Sequence, residues 1–181
     1  KKNGHIKAQG KPREIIDQYL AKASEINRDI PIHLRADREG DGRARFKAIH
    51  LTDKNKGNIF NSGARLRLEI HFDRKEQSAK LFNIDLHLFN SRGNYLSSFS
   101  KAGELNGATQ ENWFCEVPAL SLMPGDFFIN AHLFLDGQRA DFVGRAFYFE
   151  VLDSDSTGNE IAIARQNPGI YLKNDWHSLN P

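Results

Sequence analysis

The chain is expected to fold as an all-β protein, an immunoglobulin-like or jelly-roll antiparallel β-sandwich. Three observations carry that expectation. Apolar and polar residues alternate with a period of two in short runs from residue 43 onward, as half-buried strands require. Turn signals rich in Gly, Asn and Asp separate those runs at short intervals. The 181 residues hold 13 Phe beside one Met and one Cys, a composition suited to a β-rich core or to aromatic faces.

Before the strands comes one helix signal. Pro12 suits a first helical turn, Glu14 and Asp17 lie near its positive end, and Ile15, Ile16, Tyr19 and Leu20 recur at helical spacing. Residues 22–42 are charged, end in Glu39-Gly40-Asp41-Gly42, and read as a linker running into a turn. The expected organisation is therefore a helix and linker over 1–42 and a sandwich over 43–181.

The first strand covers residues 43–52, with Phe46, Ile49 and Leu51 apolar; the step from 46 to 49 breaks alternation and predicts a bulge. Turns follow at Asn55-Lys56-Gly57-Asn58 and Asn61-Ser62-Gly63. From Arg65 to Phe72 the alternation is strict, with Leu66, Leu68, Ile70 and Phe72 on one face. From Leu81 to Phe89 it recurs, with Phe82, Ile84, Leu86 and Leu88 inward and Asn83, Asp85, His87 and Phe89 outward. The turn at 90–94 leads into a strand over Tyr95 to Ser100. A loop over 101–110 and a strand from Trp113 to Val117 come next. After the Pro124-Gly125 turn, Phe127, Ile129, Ala131, Leu133 and Leu135 face inward, opposite Phe128, Asn130, His132 and Phe134. Asp136-Gly137 is a hairpin signal, and Arg145 to Leu152 closes the sandwich at about seven or eight strands. Beyond a polar linker over 153–159, residues 161–164 and 170–173 can each add a strand, paired to their own sheet or exchanged with a second copy. Trp113 is expected at a core edge and Trp176 as an anchor for the tail.

Composition narrows the function. A formal charge of +2 with interleaved signs offers no basic face for nucleic acid. Cys115 alone makes neither an intrachain disulfide nor a thiolate zinc site, so a reducing compartment is expected. No apolar run reaches the roughly 18–20 residues that span a bilayer, and the opening KKNGHIKAQG has no hydrophobic stretch behind its basic residues. Phosphate-loop, dinucleotide, zincin and nucleophile-elbow motifs are absent, so no catalytic residues and no cofactor are expected. Two His pairs suit a metal by spacing, His71 with Asp73 and Asp85 with His87, but neither has an identifiable third ligand, and a solvated strand face explains both. Glu69 with Asp85 is the pair a glycoside hydrolase would need.

The outward sets remain. In an immunoglobulin-like strand order the runs at 81–89 and 127–135 are neighbours, which places Asn83, Asp85, His87 and Phe89 beside Phe128, Asn130, His132 and Phe134. Amides, carboxylates and imidazoles share hydrogen bonds with sugar hydroxyls while rings stack on apolar C–H faces. The alternative is a mixed surface covered by another strand or a second subunit.

Two groups of segments carry a family resemblance. Gly4, Ile6, Gly10, Pro12, Ile16 and Tyr19 resemble the run that closes an ABC-transporter ATPase domain. Residues 44–53, Asn90-Ser91-Arg92-Gly93, 120–127, Phe147-Tyr148-Phe149-Glu150-Val151, and the closing Gly169-Ile170-Tyr171-Leu172 with Trp176 resemble the C-terminal domain of the ATPase subunit of Wzt-type O-antigen exporters. Phe127 departs from the Tyr expected after the turn. The resemblance implies a non-enzymatic carbohydrate-binding module that reads an O-antigen polysaccharide, often at its modified non-reducing end. It also implies a homodimer exchanging C-terminal strands, a membrane-embedded transporter subunit reached through the parent ATPase, and a cytoplasmic place at the inner membrane. Which residues bind is not part of what it implies.

Overall fold

In the computed structural model the described residues are 30–51, 58–105 and 107–152; the expected helix at 12–22, the tail strands and Trp176 lie outside them. Nine strands follow a short 3-10 turn at Ile32–Leu34: β1 (Arg38–Glu39), β2 (Ala44–Leu51), β3 (Ile59–Asn61), β4 (Leu66–Arg74), β5 (Leu81–Asn90), β6 (Tyr95–Glu104), β7 (Gln110–Val117), β8 (Gly125–Leu135) and β9 (Gln138–Leu152). They form two layers. The larger sheet runs β1-β9-β8-β5-β6 with β3 also on β9, and the smaller runs β2-β4-β7. All pairings are antiparallel except β3 on β9.

The alternation works as expected. Leu66, Leu68, Ile70 and Phe72 from β4 meet Phe82, Ile84, Leu86 and Leu88 from β5 and Phe127, Ile129, Leu133 and Leu135 from β8 in one buried core. Burying each such side chain contributes roughly 1.5–3 kcal/mol. A chain of rings, Phe46, Phe72, Phe82 and Trp113, crosses between the layers with centroids 6.5, 5.9 and 5.0 Å apart. Trp113 thus packs at the core edge. The bulge in β2 falls between Phe46 and Ala48. At the β8–β9 hairpin Asp136 and Gly137 both have positive φ, 46° and 79°, which matches the right-handed twist of the strands. The Asp136 carboxylate also accepts the backbone N–H groups of Lys80 and Leu81.

Three differences from the sequence expectation have a physical origin. From Ile32 on, the presumed linker belongs to the sandwich: Ile32 is buried, and Arg38 and Glu39 pair with Val143 and Phe142. Its charges are matched inside the fold. Arg38 donates to the fully buried Asp141, to the carbonyl of Phe46 and to that of Ile32. Asp141 also accepts the Phe46 N–H, joining the two sheets. Gly40 passes so close to β9 that a Cβ there would stand 2.5 Å from the Ala140 carbonyl oxygen. Second, β9 begins at Gln138 rather than Arg145, because a bulge rather than a break interrupts its alternation. Third, the expected loop at 101–110 is shorter, since β6 reaches Glu104 and β7 starts at Gln110.

Candidate functional site

The outward residues of β5 and β8 do lie side by side. Register pairs Asn83 with Phe134, Asp85 with His132, His87 with Asn130 and Phe89 with Phe128. All eight sit on the outer face of the larger sheet, opposite the buried Ile84, Leu86, Ile129 and Leu133. The neighbouring strands extend the face with residues not expected from sequence. β6 adds Tyr95 beside Phe89, Ser98 beside His87 and Ser100 beside Asp85. β9 adds Phe142 beside His132 and Tyr148 beside Phe128.

The rings form two connected groups. Phe89 and Phe128 stack at 5.2 Å, with Tyr95 and Tyr148 edge-on or tilted at 5.7 and 6.2 Å. His87 and His132 lie 4.4 Å apart, and His132 lies 4.6 Å from Phe142 and stacks at 6.3 Å on Phe134. His87 also touches Tyr95 at 5.7 Å, so the groups are continuous. Polar atoms line the same surface: the Asn83 amide donates to the Asp85 carboxylate at 2.9 Å.

A bulge shapes this face. Asn130 on β8 stands between the pairs Ile129 with Phe147 and Ala131 with Val143, so residues 144–146 of β9 face a single partner residue. Arg145 takes a left-handed φ of 52°, costly for a residue with a Cβ. Its N–H, displaced from the ladder, donates to the Asn130 side-chain oxygen at 2.7 Å, and its carbonyl accepts from the buried Arg35 at 3.2 Å. Arg35 is itself held by Asp37 through two hydrogen bonds, which keep the Asp37 carboxyl below its usual range. So anchored, the Arg145 guanidinium lies 4.7 Å above the Phe128 ring. The outlier residue therefore presents a cation at the aromatic face.

His132 is held neutral. Burial lowers its pKa from 6.5 to about 4, the nearby His87 and Arg139 push the same way, and Asp85 opposes them. At neutral pH its ring offers one donor and one acceptor, the pattern of a sugar hydroxyl's partner.

The chemistry of the other sequence candidates changes. Glu69 projects from the smaller sheet beside His50, while Asp85 projects from the larger sheet beside His132. They occupy opposite outer faces of the sandwich, so the glycosidase pair is ruled out by the layer assignment. His71 and Asp73 part as well: Asp73 pairs with Lys47 at 2.9 Å, and His71 with Asn112. Asp85 is engaged by Asn83, and His87 by rings. Of the residues the sequence reading missed, Tyr148 had a visible signal, since it alternates with the inward Phe147 and Phe149. Arg145 had only the preceding Gly144, and Phe142 lay outside the expected strand.

No helix among the described residues is long and apolar enough to cross a membrane. No curated protein matches the chain in sequence. Among solved structures, the C-terminal domain of Wzt superposes with a TM-score of 0.63 at 11% identity, over 80% of this chain and 90% of that one. Partial overlaps, both at TM-score 0.42, occur with an alkylpurine DNA glycosylase of Pseudomonas fluorescens bound to abasic-site DNA (17% identity, 61% of this chain, 30% of that chain) and a putative β-galactosidase of Bacteroides fragilis (13%, 53% and 15%). Those two bear on neither fold nor function here. The family model of the Wzt C-terminal domain matches residues 35–163, and the chain belongs to that family.

Proposed function

We propose that the outer face of the larger sheet binds an O-antigen polysaccharide without catalysis and so confers substrate specificity on an ABC exporter. The observation that carries this reading is the continuous aromatic and polar surface over β6, β5, β8 and β9, with a neutral His132 and the cation of Arg145 in it. Rings and imidazoles serve the two sides of a sugar, and a shallow face exchanges water for hydroxyls at little net gain. Affinity per site is weak on this reading, and a homodimer, formed through exchange of the C-terminal strand, raises avidity. The opening segment then belongs to the end of an ATPase domain, which ties the sandwich to a membrane-embedded transporter subunit at the cytoplasmic side of the inner membrane.

The test is an array of bacterial O-polysaccharides, followed by titration of the retained glycan into the native protein and the His87→Ala, His132→Ala and Tyr95→Ala variants. The expected result is retention of a defined glycan with at least about tenfold weaker binding in one His variant and in Tyr95→Ala. Undiminished affinity in all three would sink the placement of the site. A protein that dimerises but retains no glycan would instead be an interaction module using the same face.

A further inference from the structure

On the opposite outer face, cross-strand pairing of β2 with β4 sets His50 directly against Glu69 and leaves His71 one step along the same side. The Glu69 carboxylate oxygen lies 3.0 Å from His50 Nε2 and 3.6 Å from His71 Nε2. The two imidazoles stack with centroids 5.3 Å apart at 10°. Among the described residues, this is the trio of His, Cys, Asp or Glu whose ligand atoms all lie within 4.8 Å of one another. Two ligands each about 2.0–2.2 Å from a tetrahedral ion stand roughly 3.3–3.5 Å apart. The two separations from Glu69 bracket that figure.

The partner on the third strand fixes which nitrogen points inward. His71 pairs across the sheet with Asn112, and its Nδ1 meets the Asn112 side-chain oxygen. An amide oxygen only accepts, so Nδ1 carries the proton and, in the neutral ring, Nε2 holds a lone pair. That lone pair faces a carboxylate oxygen, itself an acceptor. At 3.6 Å the two acceptors stand just beyond hydrogen-bond reach, a gap that a cation can bridge.

We propose that His50, Glu69 and His71 form a zinc site, with Asn112 orienting His71 and the fourth position open to water. Two imidazoles and one carboxylate with an open position suit Zn²⁺ and its surrogate Co²⁺ better than Ca²⁺ or Mg²⁺, which prefer oxygen ligands. The ion would tie the edge strand β2 to the centre of its sheet just beyond the β2 bulge. This site is independent of glycan binding, on the other layer.

The experiment strips the full chain with EDTA, desalts it, and titrates Zn²⁺ by calorimetry and Co²⁺ by its visible bands. One saturating equivalent is expected in addition to any weaker binding, with the four-coordinate Co²⁺ spectrum. His50→Ala, His71→Ala and Glu69→Gln should each weaken that event by about 100-fold, and Asn112→Leu by about 10-fold. Saturating Zn²⁺ should raise the unfolding midpoint of the native protein by about 5 °C and leave that of His50→Ala unmoved. A double variant, His87→Ala with His132→Ala, should bind Zn²⁺ as the native protein does. The proposal is overturned by absence of a saturable event, by an event that survives both His50→Ala and His71→Ala, or by one lost in the His87/His132 double variant. Unfolding midpoints in EDTA separate loss of the site from loss of the fold.

Discussion

Acid should unlock the aromatic face through one imidazole. The His132 pKa falls from 6.5 to about 4, chiefly through burial, with His87 and Arg139 adding and Asp85 opposing. The sign follows from proton counting. Between these values the unfolded chain binds a proton that the folded chain refuses, so stability rises with pH there. The contribution is complete above 6.5, is lost as pH falls toward about 4, and changes no further below. Each pH unit crossed costs at most about 1.4 kcal/mol, so the window caps the loss at roughly 3 kcal/mol. His132 keeps part of its ring in solvent, and screening reduces this to about 1–2 kcal/mol. Urea unfolding of native protein and His132→Gln between about pH 7.5 and about pH 4.5 measures it, because groups titrating in both proteins cancel in the difference. The native protein should lose about 1–2 kcal/mol relative to the variant over that range. Parallel stability curves would refute the argument, since they would mean that the folded imidazole protonates as freely as the unfolded one.

Other perturbations probe the frame beneath the face. Arg38→Met leaves the fully buried Asp141 without its main counter-charge and should cost about 3–5 kcal/mol in denaturant unfolding. Gly40→Ala combines a φ of 122° with a Cβ 2.5 Å from the Ala140 oxygen, and should cost about 2 kcal/mol or more, read as a lowered thermal midpoint. Arg145→Gly relieves a left-handed φ worth about 1–2 kcal/mol while losing a cation over Phe128 worth about 0.5–1 kcal/mol. Its stability should therefore change by less than about 1 kcal/mol while binding to the cognate glycan falls, which titration and unfolding together check.

The strands most legible in sequence are those with one buried face and unbroken alternation. β4, β5 and β8 satisfy both conditions, and their inward apolar residues are all core. Reading fails where another term outweighs periodicity. Arg35, Arg38 and Asp41 look like a solvated linker because charge suggests water, yet Arg35 and Arg38 are sheltered by partners far along the chain. Ile59–Asn61 is short, bordered by turn residues, and stabilised by a parallel partner roughly ninety residues away. Local sequence cannot announce such a pairing. The proposed zinc trio was hidden differently: Glu69 lies two residues from His71 on its own strand, but the third member, His50, comes from β2 by cross-strand pairing.

Facing outward is not the same as being exposed, and this decides how the candidate face should be probed. Phe128 alternates outward on β8 as expected, yet only 6% of it is accessible, because Phe89 stacks on it and Tyr148 and Arg145 close over it. Truncating it removes buried ring contacts and should cost about 3 kcal/mol of stability, so lost glycan binding in Phe128→Ala would not locate the site. Tyr95 touches the same cluster from the outer strand β6 and remains 56% accessible. Its truncation removes a surface that a sugar ring can reach while leaving the core beneath intact. For this face, then, Tyr95→Ala separates recognition from packing, and the buried ring at its centre serves as the stability control.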